Sequence, residues 1–469
     1  METNNYIIEK NLIFSNFLEK HFFNKFREGN EHIEFFLKSQ CPGKCAYCYL
    51  KKHGKDLYPY EYQDDELILN NLKLLLDWYK ENKFRNTIEL FSGEIITSGF
   101  FFKVLDVIYE AFSEEFLSYK PKNIIIPENG DFLEDLELIK KVESYIEKFL
   151  DIDIELIFSM SIDGKYMDLN RNSRDDEYYK RAIDFCNKYI YAFHPMVSAF
   201  NIEKWIDNYD WWNNEEIPNI ISDHLMTLEV RDNNWTEEKI NEYLKFLNHV
   251  IDKEFEKCFS DPELFAKRLT GADNYPEKGY FIIGYAQGSS EEKDYRNHGL
   301  TCSLTNTLHI RVGDLKIVPC HRLGYEQFIT GQLEVKDNKI SGYIGENVEL
   351  LVSILSWTLN NGPKCSKCDI RHWCLGPCMG SNFENTNNLF TPPESVCNLF
   401  KSKIIFLIMK YQDLGLFPYF KKLLPKDRYN TLINYVNKIN GSFENYGQYY
   451  KYKIDDCKKQ RKPITELQL

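Results

Sequence analysis

Seven of the thirteen cysteines crowd into two short segments, and no other feature restricts the chain so tightly. The first segment reads Cys41-Pro42-Gly43-Lys44-Cys45-Ala46-Tyr47-Cys48, a C-x3-C-x2-C loop. The second is Cys365, Cys368, Cys374 and Cys378, a C-x2-C-x5-C-x3-C run, with Cys302 and Cys320 before it and Cys397 after it. In a large chain whose first ten residues lack a basic-then-apolar signal pattern, clustered cysteines point to metal ligands rather than disulfides. Cys186, in an expected helix over residues 181–189, reads as a buried structural thiol.

The spacing of the first group already constrains the metal. A tetrahedral zinc site needs four protein ligands, and the closest further donor, His53, would require the loop to fold back. Three thiolates on a four-iron cluster leave one iron open for a substrate or cofactor, and Pro42 and Gly43 let the backbone turn tightly around it. The second group taken alone also fits a zinc ribbon or knuckle.

Composition narrows the class. The 469 residues carry 58 Lys+Arg against 71 Asp+Glu, a net charge of −13, which argues against nucleic acid as the main partner. Aromatics at 15% with only 23 Gly and 16 Pro exclude bulk disorder and fibrous repeats. No apolar run is long enough to span a bilayer, so a cytosolic protein without a membrane partner is expected.

Along the chain, strands alternate with helices. Residues 1–31 read as a helical lead-in, and 32–38 as a buried strand running into the first cysteine loop. A helix with Asp64 and Asp65 at its start and Ile68, Leu72, Leu75, Leu76 and Tyr79 on one face follows. Further strands are expected at 87–91, 123–126 and 154–161, with weaker candidates at 190–199 and 225–230. Helices are expected at 100–112 and 133–150. This alternation implies parallel βαβ units and an α/β fold, a partial (β/α)6 TIM-like barrel over 32–236. A helical connector (237–299), a small Cys-rich α+β domain (300–400) and a helical extension (401–469) complete the expected organisation. Polar motifs follow the strand ends: Ser92-Gly93-Glu94, Asn129-Gly130 and Ser161-Ile162-Asp163-Gly164. In such barrels that face carries the active site.

The strand followed by C-x3-C-x2-C, with Tyr47 before the last cysteine, resembles the radical S-adenosylmethionine enzymes. In that family the open iron chelates the amino and carboxylate groups of S-adenosylmethionine. Reductive cleavage then gives a 5′-deoxyadenosyl radical that abstracts a substrate hydrogen. The resemblance implies three iron ligands, Cys41, Cys45 and Cys48. It also implies a cofactor-binding set of Tyr47, Ser92, Gly93, Glu94, Asn129, Ser161, Asp163 and Arg171. Here Ser92-Gly93-Glu94-Ile95 stands where the family has Gly-Gly-Glu-Pro, so its first glycine and its proline are absent.

From Cys302 to Cys397 the cysteine order resembles the SPASM domain of radical enzymes that modify peptides and proteins. That resemblance implies a distal [4Fe-4S] cluster on Cys365, Cys368, Cys374 and Cys397. It implies a proximal one on Cys302, Cys320 and Cys378, whose fourth ligand is open or comes from a group such as His298, His321, Cys258 or Cys457. The chain would thus bind S-adenosylmethionine and three [4Fe-4S] clusters.

The expected activity is radical modification of a peptide or protein side chain, giving an oxidised or cross-linked product, a thioether among them. An electron donor such as flavodoxin or ferredoxin, and a separate leader-peptide-binding protein, are the implied partners. Where sulfatase maturases carry a catalytic Asp after the cysteine, this chain has His321, which with Glu229 is a candidate base. The alternatives are a sulfatase maturase, radical chemistry on a sugar or cofactor precursor, or a non-enzymatic electron-transfer or zinc-binding protein.

Overall fold

The computed structural model describes residues 2–114, 119–166, 174–214, 230–270, 307–357, 362–371, 374 and 378–441. The chain divides into two compact units. The first comprises Met1–His194, Ile217–Asn219 and Cys302–Ser356; the second comprises Pro195–Glu216, Ile220–Thr301 and Trp357–Leu469. The residues expected to form one Cys-rich domain, 300–400, are thus shared between both units.

Among its described residues, the first unit is built on one eight-stranded sheet. Its strands are β1 (His32–Lys38), β2 (Thr87–Ser92), β3 (Asn123–Glu128), β4 (Glu155–Met160), β5 (Thr307–Arg311), β6 (Lys316–Val318), β7 (Gly331–Lys336) and β8 (Lys339–Gly345). Their spatial order is β4-β3-β2-β1-β5-β6-β7-β8. Strands β1 to β4 pair in parallel, as the βαβ reading requires, and β5 joins the free edge of β1, also in parallel. The strands β6 to β8 continue the sheet antiparallel.

Carboxylates cap several of the helices. Asp64 Oδ1 accepts from the N–H groups of Glu66 and Leu67 at 3.0 and 3.1 Å, opening Asp65–Glu81. Asp135 does the same for Leu136–Leu150, which is why the helix expected at 133–150 begins later, after a 3-10 turn at Asp131–Glu134. Ile68, Leu72, Leu75, Leu76 and Tyr79 are all buried, as the apolar stripe predicts.

The weak strand expected at 190–199 reduces to a single parallel bridge, Met160 to Phe193. Ile190 sits in the left-handed region (φ 60°) and stops the preceding helix, leaving few residues to pair. Of the candidate strand at 225–230, residues 225–229 lie outside the described residues. The lead-in is helical, with Glu2–Leu18 and Asn24–Arg27 joined by a π-helical turn.

The second unit is helical among its described residues. The expected charged helix after residue 237 is two helices, Glu237–Lys257 and Pro262–Thr270, because Phe259 and Ser260 take positive φ values and Pro262 restarts the chain. Helices Met379–Thr386, Glu394–Asp413, Phe417–Leu423 and Lys426–Gly441 follow. Among the described residues, no helix is long and apolar enough to cross a membrane.

Candidate functional site

The C-terminal ends of β1 to β4 bring most of the expected cofactor residues together. Lys38 ends β1, and the cysteine loop follows at residues 41–48. The tip of β2 is bound to that strand end: Gly93 N–H donates to Lys38 O at 2.8 Å, and Ser92 Oγ to the same carbonyl at 3.3 Å. A Cβ on Gly93 would lie 2.0 Å from Gln40 O and 2.8 Å from Cys41 Cβ. Only glycine allows the two segments to approach so closely.

Cys41 Sγ accepts two backbone N–H groups, from Gly43 and Glu94, each at 3.4 Å. Cys48 N–H donates to Cys45 O at 3.2 Å, which closes the loop. Burial pushes the Cys41 thiol above its ordinary pKa, against the two N–H donors, which favour the thiolate.

Glu94 is buried, and its carboxylate accepts from the backbone N–H of Thr97 at 2.9 Å and from the Thr97 hydroxyl. Glu128, at the end of β3, is also buried. Burial raises its pKa well above the ordinary carboxylate range, and the neighbouring Glu94 charge adds to the shift. Asn129 and Asp131 form a closed turn: Asn129 Nδ2 donates to Asp131 Oδ2, and Asp131 N–H to Asn129 Oδ1, both at 2.8 Å. After β4, Ser161 N–H donates to Glu128 O at 2.5 Å. Asp163 is buried and accepts from the Tyr47 hydroxyl at 3.4 Å, linking the fourth strand end to the cysteine loop. Arg171 lies outside the described residues.

A second polar group, not legible in the sequence, sits lower on the same sheet. Glu34 of β1 is in register with Glu89 of β2 and with His309 of β5. Glu34 Oε2 lies 2.8 Å from His321 Nδ1, and Oε1 lies 2.9 Å from His309 Nδ1. The His321 ring lies flat on Phe91, with centroids 4.0 Å apart and planes 6° from parallel. Burial opposes the Glu34 charge, yet the two histidines outweigh it and hold the carboxyl well below its usual range. Burial and the Glu34 charge together push Glu89 up to about 7. Two members carry a legible signal: His321, singled out by its place after Cys320, and Glu34, a lone carboxylate in the apolar strand HIEFFLK.

His321 thus enters as one member of a buried cluster, and Glu229, the other candidate base, lies outside the described residues. Cys320 belongs to the first unit and Cys378 to the second, while Cys302 lies outside the described residues. In the second unit, Cys365 and Cys368 of the expected distal set stand at the two ends of one 3-10 turn. Cys365 opens a 3-10 turn, Cys368 N–H donates to Cys365 O at 3.0 Å, and Cys374 N–H to Ile370 O at 2.9 Å. Cys397 is in the first turn of Glu394–Asp413. Burial, then the nearby Cys397 and Cys368, push the Cys365 thiol up to about 11. Such mutual repulsion between thiolates is what a bound metal would relieve. Cys186 is buried, and burial pushes its thiol up to about 12, in keeping with a structural role.

The fold is an α/β architecture on a half-parallel sheet, with free cysteines in the loop after β1 and in the helical unit. No family model matches the chain, and no curated protein matches it. Among solved structures, histidine-tagged anSMEcpe with bound AdoMet is similar over 86% of this chain and 98% of its own, at 15% identity and a TM-score of 0.48. Native anSMEcpe with bound AdoMet and Cp18Cys peptide is similar over 82% and 99%, at 15% identity and a TM-score of 0.46.

Proposed function

We propose that the protein is a radical S-adenosylmethionine enzyme of the SPASM type, acting on a peptide or protein side chain. One observation carries this reading. The tip of β2 reaches the cysteine loop through a glycine that nothing larger can replace, and its next residue donates an N–H to Cys41 Sγ. Backbone N–H donors to ligand sulfur are the protein's means of stabilising and tuning an iron–sulfur cluster, so the residues fit the group. When bound on Cys41, Cys45 and Cys48, a four-iron cluster supplies reductive cleavage of S-adenosylmethionine, and with it hydrogen abstraction from the substrate.

The chain's own residues would hold and shield that chemistry. Ser92, Gly93 and Glu94, Asn129, and Ser161 and Asp163 stand at three strand ends beside the loop, where a cofactor lying across the sheet would meet them all. Tyr47 is pinned by Asp163 and would wall the cofactor from water. Glu94 is the candidate for the cofactor's amino group, with the buried Glu128 beside it, whose carboxyl is pushed well above its usual range by burial and by the Glu94 charge. Arg171 is proposed for its carboxylate.

Cys365, Cys368, Cys374 and Cys397 are proposed as the distal auxiliary set. Cys302, Cys320 and Cys378 are proposed as the proximal set on the resemblance alone. A peptide substrate, an oxidised or cross-linked product, a flavodoxin- or ferredoxin-type donor, a separate leader-binding protein and a cytosolic location belong to the same reading.

The test is formation of 5′-deoxyadenosine from S-adenosylmethionine and dithionite by anaerobically purified protein. The intact chain should form it, and a variant with Cys41, Cys45 and Cys48 all replaced by Ala should not. Equal formation by both would overturn the reading.

A further inference from the structure

We infer that Glu34, His309 and His321 form a binding site for a single zinc-class divalent metal ion, with no cysteine among its three protein ligands. The three residues each offer one ligand atom, and these atoms all lie within 4.8 Å of one another. The fold fixes two of them, since Glu34 and His309 are register partners on adjacent parallel strands and so share a face. The third arrives on the 3-10 turn His321–Leu323, where stacking on Phe91 holds the imidazole plane.

The hydrogen bonding of the cluster is incomplete without an ion. His309 is fully buried, and neither of its ring nitrogens has a hydrogen-bond partner among the described residues. Glu34 Oε1 likewise has none, although it lies 2.9 Å from His309 Nδ1, because the direction of approach is wrong for a hydrogen bond. Each such orphaned buried atom forfeits its contacts with water and gains nothing in return, which native folds avoid. His321 Nδ1 and Glu34 Oε2 are within hydrogen-bond distance at 2.8 Å, whereas His309 Nδ1 and Glu34 Oε1 stand close without a hydrogen bond between them. A cation satisfies all three groups at once.

The donor set and spacing suit zinc. Two imidazoles and one carboxylate are an established zinc ligand set, with metal–ligand distances of about 2.0–2.2 Å. At tetrahedral angles those distances put ligand atoms roughly 3.3 Å apart. Glu34 presents Oε2 to His321 at 2.8 Å and Oε1 to His309 at 2.9 Å, and with one ligand atom from each residue within 4.8 Å of the others, small side-chain rotations reach the tetrahedral spacing. Glu89, the register partner of Glu34 on β2, places a second carboxyl beside the site. The His321 side chain is 27% exposed while the other two are closed, so entry and a fourth, water ligand come from its side. Bound there, the ion would pin β5 and the turn after Cys320 to β1.

The experiment uses the full chain, purified anaerobically with its iron, treated with a mild chelator and dialysed against Zn2+ alone. Metal analysis with zinc K-edge absorption should find about one zinc per chain in a nitrogen and oxygen shell with imidazole scattering. The variants His309→Gln and Glu34→Gln should each lose that zinc at least tenfold in affinity, with iron content unchanged. Absence of such zinc, a purely sulfur shell, or full retention in His309→Gln would overturn the site. Should either variant fail to fold, the absorption spectrum of the unaltered chain decides alone. Iron content and S-adenosylmethionine cleavage are read on the same samples, so failure of the proposed function, on which this site does not depend, and failure of the site itself are told apart.

Discussion

The backbone N–H of Glu94 lies 3.4 Å from Sγ of Cys41, so the end of β2 donates a hydrogen bond to the first cysteine of the loop that follows β1. The contact exists because Gly93 has no side chain. A methyl group there would stand 2.0 Å from Gln40 O, a distance at which backbone must move.

Gly93→Ala should therefore separate the strand end from the loop. The expected result is loss of about four irons per chain and at least a tenfold fall in S-adenosylmethionine cleavage. Gly43→Ala should be milder, since its Cβ would meet only Cys41 Sγ at 3.2 Å and Cys45 Sγ at 4.0 Å. Iron analysis of the two variants side by side checks this, and full iron in Gly93→Ala would refute it.

Arg311 predicts a stability effect. It is fully buried, donates to Gly324 O at 2.7 Å and Leu57 O at 3.2 Å, and pairs with Asp314 and Glu326. Arg311→Met would leave Asp314 buried without its partner, which typically costs about 3–5 kcal/mol. Arg311→Lys should rescue little, because an ammonium cannot reproduce the guanidinium fork. Denaturant unfolding of the three proteins measures the differences.

Glu254 predicts a pH dependence in the second unit. Burial raises its pKa, but Lys257 and Arg268, 2.7 Å from its two oxygens, outweigh burial and hold it below the ordinary value. A depressed carboxylate contributes stability above its unfolded pKa of about 4.3, and that contribution is lost as pH falls through the folded value. Glu254→Gln should be about 3 kcal/mol less stable at pH 7, with the gap closing below about pH 4. A gap that stays constant from about pH 7 to about pH 3 would contradict the assignment.

The cysteines predict a metal count. The anaerobic protein should be brown and hold about twelve irons. Replacing Cys365, Cys368, Cys374 and Cys397 together by Ser should remove about four of them and leave S-adenosylmethionine cleavage largely intact. Sulfur-bound zinc at those four positions, found by zinc K-edge absorption, would remove the auxiliary assignment.

Local patterns read well in the sequence where one physical signal dominates. The strand at 32–38 and the helix at 100–112 lie at their expected bounds, the first as an unbroken buried run and the second as a dense apolar face. The strands β5 to β8 are not legible in the same way, since β6 is only three residues long and β5 is made by pairing with a strand far away in sequence. One signal for them is present: Asp337-Asn338, both at positive φ, form the two-residue turn between β7 and β8. The Glu34–His309–His321 cluster cannot be read from local pattern, because its members are 275 and 12 residues apart and only the sheet register unites them.

On the proposed function, the first cysteine loop holds a four-iron cluster with one iron open to S-adenosylmethionine. The most direct test is the electron paramagnetic resonance spectrum of a dithionite-reduced variant that keeps Cys41, Cys45 and Cys48 and has Ser at Cys302, Cys320, Cys365, Cys368, Cys374, Cys378 and Cys397. A single reduced four-iron signal is expected, with g-values that shift when S-adenosylmethionine is added. A signal that the cofactor leaves unchanged, or no iron–sulfur signal at all, would contradict it.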